Sequence, residues 1–230
     1  MEKPNIIEYE VSGRYALFTD PVSKIGGEKF SYQIPTYQAV IGITEAIYWK
    51  PTFRWVIDKV RVMNPIRTEV KGTRPIRYTD STPVLSAYTY LRQVKYQVQA
   101  HFEWDLAATD YEKDRNENKH WEIAKRSVEL GGRRDVFLGT RECQGYVEPC
   151  SFGEGKGYYD QYVEIPFGLM VHGITYPNEA FNEQTKGKIS TRLWAPVMKN
   201  GVIEFIRPEE CPIIRPLRDY AAKTGRSEGL

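Results

Sequence analysis

Residues 53–70 read FRWVIDKVRVMNPIRTEV, and this stretch decides the fold. Trp55, Ile57, Lys59, Arg61 and Met63 stand out of phase with Val56, Asp58, Val60, Val62 and Asn64, the period-two pattern of a long strand. Tyr88 to Trp104 repeats the pattern. Between the two runs, Lys71 to Ser86 holds Gly72, Pro75 and Pro83, which predicts a long exposed hairpin connection able to reach over a ligand.

Working outward, Asn5 to Leu17 alternates as a first strand, and Thr19-Asp20-Pro21 with Gly26-Gly27 leaves Lys24 and Lys29 on a mobile loop. Thr36 is a reasonable N-cap for a helix carrying Val40, Ile43 and Ile47, stopped by Pro51, with Tyr48 at its end. A second helix is predicted from Asn116 to Leu130, where Gly131-Gly132 ends it, and Val136 to Val147 resumes as strand and loop. The order strand, helix, strand, strand, helix, strand is that of an α+β, ferredoxin-like βαββαβ domain, an order shared with RNA-recognition modules. It is expected to occupy residues 1–148. A smaller antiparallel β domain is expected over 149–217, with strands at Gly168–Tyr176 and Thr191–Met198 and a hairpin turn at Asn200-Gly201, before a flexible tail at 218–230.

The chain has 230 residues, 41% of them hydrophobic, enough for a sizeable core. No apolar run approaches the ~20 residues of a membrane span and the N-terminus lacks a secretion signal, so a cytoplasmic protein without membrane contact is expected. Cys143, Cys150 and Cys211 are odd in number and lack CxxC spacing, arguing against a disulfide framework or a zinc site. No P-loop, GxSxG or HExxH occurs, so NTP hydrolysis, serine-type hydrolysis and zinc chemistry have no support.

Net charge is only +2, but the cations cluster between Lys50 and Arg77, where Arg61, Lys71, Arg74 and Arg77 form part of a basic stretch suited to a polyanion or simply to a solvated strand face. Lys119-His120 sets an amine beside an imidazole at the start of the second helix, a pair suited to proton transfer next to an anion. An ordinary exposed Lys-His pair is the bland alternative. Gly131-Gly132-Arg133-Arg134 and Gly139-Thr140-Arg141 combine close backbone approach with bidentate donors for phosphate, although a helix C-cap explains the first of them equally well.

Five segments carry a resemblance: YALFTDPVSKIGGEKFSYQIPTYQA (15–39), EAIYWKPTFRWVIDKVRVMNPI (45–66), YTYLRQVKYQVQAHFEW (88–104), DRNENKHW (114–121) and GGRRDVFLGTRECQGYVEPC (131–150). From about Arg14 to Arg215 the chain resembles the CRISPR-associated Cas family five, subtype d, of type I-C systems and the repeat-associated superfamily. The resemblance implies a metal-independent endoribonuclease that cleaves precursor CRISPR RNA within the repeat. The ribose 2′-hydroxyl would attack the adjacent phosphate, leaving 2′,3′-cyclic phosphate and 5′-hydroxyl ends. It implies Tyr48, Lys119 and His120 as the catalytic set, Tyr48 and His120 sharing proton transfer in either sense and Lys119 stabilising the phosphorane. No cofactor is implied. The implied partners are the repeat hairpin, the 5′ handle of the mature guide and the other surveillance-complex subunits; a non-cleaving RNA-binding scaffold is the alternative. Expected RNA contacts are Lys24, Lys29, Arg61, Lys71, Arg74, Arg77, Arg133, Arg134 and Arg141.

Overall fold

The structure, a computed structural model, describes residues 5–21, 23, 27–183 and 185–219. Lys24 and the segment beyond residue 219 lie outside the described residues. The elements in chain order are β1 (Ile6–Ala16), β2 (Lys29–Phe30), α1 (Tyr37–Ile47), β3 (Phe53–Val62), β4 (Thr68–Thr73), β5 (Ser86–Trp104), α2 (Glu117–Glu129), β6 (Val136–Phe137), β7 (Gln144–Pro149), β8 (Ile165–Pro166), β9 (Met170–Thr175), β10 (Lys188–Trp194), β11 (Val197–Lys199), β12 (Val202–Glu204) and β13 (Ile213–Asp219). A main sheet runs β6-β7-β1-β5-β3-β12-β11-β8, with β2 and β4 also on β5, and a second sheet runs β13-β10-β9. All described pairs are antiparallel except β2 with β5.

The run at 53–70 forms two strands, not one. A register shift between Ile57 and Lys59 sends Phe53, Trp55 and Ile57 inward and then Val60 and Val62, so one added residue reverses the face read from strict alternation. β3 then stops at Val62, because Pro65 cannot donate to a ladder. Opposite the gap, Gln93 takes φ 51° and its carbonyl accepts from Asn64 Nδ2 at 2.8 Å. β4 continues along the same edge of β5, pairing Thr68 with Leu91 through Thr73 with Ser86, and projects as an exposed hairpin arm.

Both helices pack on one face of the main sheet. Thr36 caps α1 through its Oγ1, which accepts from Ala39 N at 3.1 Å, and Val40, Ile43, Thr44 and Ile47 face the strands. Tyr9 of β1 meets Thr44 hydroxyl to hydroxyl at 2.7 Å, and Trp121 of α2 donates to the Ile6 carbonyl at 2.8 Å. On the other face the segment after β7 is clamped over the strands by Arg61.

Two further expectations change. The main sheet does not end after residue 148: β12 pairs with β3 and carries β11 and β8. The predicted strand at Thr191–Met198 divides at Pro196 into β10 and β11, and β13 was unforeseen because its proline, Pro216, sits on a sheet edge where no donor is missed. Asn200-Gly201 forms the expected turn, with φ 49° and 80°. Among the described residues no helix is long and apolar enough to cross a membrane.

Candidate active site

Tyr48 is the residue at which α1 stops. Its backbone is extended, φ −157° and ψ 128°, which turns the phenol off the helix axis, and Trp55 Nε1 donates to its carbonyl at 2.7 Å. The Gly131-Gly132 turn that ends α2 (φ 78° and 104°) brings the next two amides back to α1: Arg133 N donates to the Ile47 carbonyl at 3.2 Å and Arg134 N to the Ala46 carbonyl at 3.1 Å. The last carbonyls of α1 are thereby satisfied and the two helix C-termini tied together. The tie also sets the Arg133 guanidinium 4.8 Å over the Tyr48 ring.

His120 lies in the first turn of α2, which Asn116 caps by accepting from Lys119 N at 3.0 Å. Its ring is wholly buried against Phe53, Phe102 and Trp104. Nδ1 is 2.7 Å from the Tyr48 hydroxyl, and Nε2 is 2.8 Å from the backbone carbonyl of Asp114 and 3.3 Å from its carboxylate. A carbonyl only accepts, so in the neutral ring Nε2 carries the proton and Nδ1 takes the Tyr48 O–H. Tyr48 thus donates into a base oriented from behind, the geometry of an activated hydroxyl.

Lys119 points outward, half exposed, and its ammonium pairs with the Asp114 carboxylate. Thr52 Oγ1 donates to the same carboxylate at 2.8 Å. These donors, Lys119 foremost, hold the Asp114 carboxyl below the ordinary carboxylate range. Burial raises the Tyr48 phenol above its ordinary value, opposed by Arg133 and reinforced by Asp114.

Two of the sequence-predicted residues, Tyr48 and His120, are therefore in direct contact, the C-terminal end of α1 meeting the first turn of α2, and Lys119 joins them through Asp114. Sequence reading missed Asp114. The signal available was the acid that opens DRNENKHW, but its carbonyl, not only its side chain, meets His120, and no residue pattern announces a backbone acceptor.

Of the expected RNA contacts, Arg74, Arg133, Arg134 and Arg141 are exposed. Arg77 is exposed and faces Asp80 at 3.3 Å. Lys29 lies 4.6 Å over the Tyr88 ring and Lys71 3.5 Å over Tyr15, so both line the hairpin arm. Arg61 is the correction. It is 6% exposed, and its guanidinium donates to both carboxylate oxygens of Asp160 (3.2 and 2.8 Å), to Gln97 Oε1 (3.1 Å) and to the carbonyls of Glu154 (3.1 Å) and Gly155 (2.9 Å). All five donor positions are used in clamping the segment after β7, which takes Arg61 out of the RNA-facing set.

The profile of the family described as CRISPR-associated protein (Cas_Cas5), subtype Cas5d, matches residues 6–206. The chain is 34% identical over 162 residues to a protein of Mannheimia succiniciproducens named CRISPR pre-crRNA endoribonuclease Cas5d, covering 60% of this chain and 69% of that one. A protein of the same name from Thermus thermophilus is 31% identical over 153 residues, 62% of this chain and 63% of its own length. Among solved structures, one titled as a CRISPR-associated protein superposes with a TM-score of 0.77 at 39% identity, covering 91% of this chain and 96% of the other. A functionally uncharacterized protein from Streptococcus mutans gives 0.75 at 37%, with the same coverage. The chain belongs to the Cas5d family of CRISPR-associated proteins.

Proposed function

We propose that this chain is the endoribonuclease that cuts precursor CRISPR RNA, as its relatives are named, by a metal-independent attack of the ribose 2′-hydroxyl. The observation that carries the site assignment is the hydrogen-bonded line from the Tyr48 hydroxyl through both nitrogens of His120 to Asp114, with Lys119 beside it. His120 and Tyr48 are both buried in the free protein, 0% and 1% exposed, with Arg133 over the Tyr48 ring. In this reading RNA binding shifts the side chains that cover Tyr48, and its hydroxyl is the group that then meets the 2′-oxygen. As the 2′-oxygen attacks phosphorus, its proton passes to the Tyr48 oxygen while the Tyr48 proton passes to His120 Nδ1. The P–O5′ bond breaks, and the departing 5′-oxygen takes a proton from the Lys119 ammonium or from water. The products are a 2′,3′-cyclic phosphate and a 5′-hydroxyl. His120 then passes its proton back to the Tyr48 oxygen as the Tyr48 hydroxyl releases one to solvent, and Lys119, where it gave a proton, takes one from solvent. Lys119 and Arg133 supply the positive charge for the crowded phosphate.

The same reading extends to the frame. The strand order β7-β1-β5-β3 with both helices on one face supports a ferredoxin-like unit. The smaller β unit centres on β9, β10 and β13. Exposed Arg74, Arg77, Arg134 and Arg141 with Lys29 and Lys71 are the proposed contacts to the repeat hairpin, whose A-form grooves favour phosphate and shape recognition. After the cut the protein would stay on the 5′ handle of the guide as a subunit of the type I-C surveillance complex.

The test is incubation with the cognate repeat RNA in EDTA, beside an RNA carrying one 2′-deoxy nucleotide before the cut. Cleavage of the first alone is expected. Tight binding with no cleavage of either would give the protein a scaffold role, and cleavage of both would remove the 2′-hydroxyl mechanism.

A further inference from the structure

Asp114 closes a 3₁₀ turn, Thr109–Asp114, that is fastened on both sides. Arg115 Nη2 donates to the carbonyls of Asp105 (3.1 Å) and Ala108 (3.3 Å), and Arg54 pairs with Asp105 at 3.0 Å. The cap of α2 is Asn116, so the Asp114 carboxylate is not needed to start the helix. It instead gathers three groups of the site: Thr52 Oγ1, the Lys119 ammonium and, at 3.3 Å, His120 Nε2.

We propose that Asp114 is the positioning residue of the cleavage site, fixing the His120 tautomer and supplying the counter-charge when His120 takes the Tyr48 proton. The proposal rests on reading Tyr48 and His120 as the proton-transfer pair. A neutral imidazole has two tautomers, and only the Nε2–H form leaves Nδ1 free to receive a proton from Tyr48. The Asp114 carbonyl selects that form. Once protonated, His120 is a cation caged by Phe53, Phe102 and Trp104, where an uncompensated charge is strongly disfavoured. The charged and titratable groups around it are Tyr48 at the end of α1, Arg133 across the Tyr48 ring, Lys119 on α2 and Asp114. Two of these are cations and one a neutral phenol, so the compensating charge comes from Asp114. Lys119 and Thr52 keep that carboxylate ionised, and it passes no proton itself. The same carboxylate parks the Lys119 ammonium beside the Tyr48–His120 line, where an arriving phosphate can share it.

The test compares wild type, D114N, D114E and Y48F in single-turnover cleavage of the repeat RNA from pH 5 to 9, together with RNA affinity and thermal melting. With the counter-charge behind the His120 ring removed, the rate–pH profile of D114N should differ from that of wild type. D114N is expected to slow cleavage about 10- to 100-fold, with RNA affinity kept within about threefold, as removal of a supporting partner does at other sites. D114E should recover part of the rate. A D114N profile that superimposes on wild type, or a loss of rate matched by loss of folded protein, would overturn the proposal. Equal rates for wild type and Y48F would instead overturn the proton-transfer pair itself.

Discussion

Two histidines of this protein, His120 and His172, are equally buried and held in the same tautomer, yet their second ring nitrogens face different partners, and the proposed mechanism gives a proton to only one of them. Each donates from Nε2 to a backbone carbonyl, of Asp114 for His120 and of Ile206 for His172, at 2.8 and 2.9 Å. Each lies beside a tyrosine that begins or ends α1: Tyr37 stacks on His172 at 4.3 Å, and Tyr48 meets His120 through its hydroxyl. The difference is at Nδ1. His172 faces the Arg192 guanidinium, a permanent cation that hands over no proton, and burial with that cation pushes its pKa down to about 4. His120 faces a phenol that donates its O–H to Nδ1, and a carboxylate stands behind the ring. Burial and hydrogen-bond count are the same for both rings, so on the proposed reading it is the titratable character of the partners that sets His120 apart.

The contrast breaks if both histidines matter equally to cleavage. H120Q is expected to lower the single-turnover rate by about 10²- to 10⁴-fold with little change in RNA affinity, and H172Q to leave the rate of the folded protein unchanged. Comparable losses in both, corrected for folded fraction by circular dichroism, would leave His120 with no special role. The tyrosines sharpen the same point at smaller scale: Y48F should cost about 100-fold, whereas Y37F should leave the rate unchanged while removing a hydroxyl bonded to the Ile57 backbone.

His172 has its own signature in stability. Its folded pKa lies below the ordinary value near 6.5, so the unfolded chain binds the extra proton as pH falls, and its contribution declines from pH 6.5 to about 4. Across that window about 3 kcal/mol should be lost from wild type and not from H172Q, read as the difference between their denaturant midpoints. A parallel pH dependence in the two proteins would contradict the assignment. The mildest change leaves both histidines in place: R74Q with R77Q on the hairpin arm should weaken RNA binding several-fold and flatten the salt dependence by about one to two units in log–log slope, with cleavage at saturating RNA unchanged. An unaltered salt slope would remove the arm from the interface.

How much of this was legible in the sequence follows from where each signal resides. The helix start at Thr36, the stop at Gly131-Gly132 and the Asn200-Gly201 turn were readable because local backbone chemistry dictates them. The two long strands were readable from alternation, but the reversal of face at Asp58 was not, since a bulge is a relation between β3 and β5 and leaves no mark in either alone. Arg61 was misread for a similar reason. An arginine in a basic stretch looks solvent-facing until the segment 154–160 folds over it and occupies its five donors. Lys119-His120 stood out as an adjacent amine and imidazole, its catalytic assignment together with Tyr48 came from family resemblance, and the contact between Tyr48 and His120 spans 72 residues of chain that no local pattern connects.

The most direct measurement is a double-mutant cycle on single-turnover cleavage of the repeat RNA, using Y48F, H120Q and the combined variant. Residues that act as one proton relay are expected to be strongly non-additive, so the double variant should cleave no more slowly than H120Q alone. Losses that multiply would show that Tyr48 and His120 act separately and would contradict the hydrogen-bonded line on which the account depends.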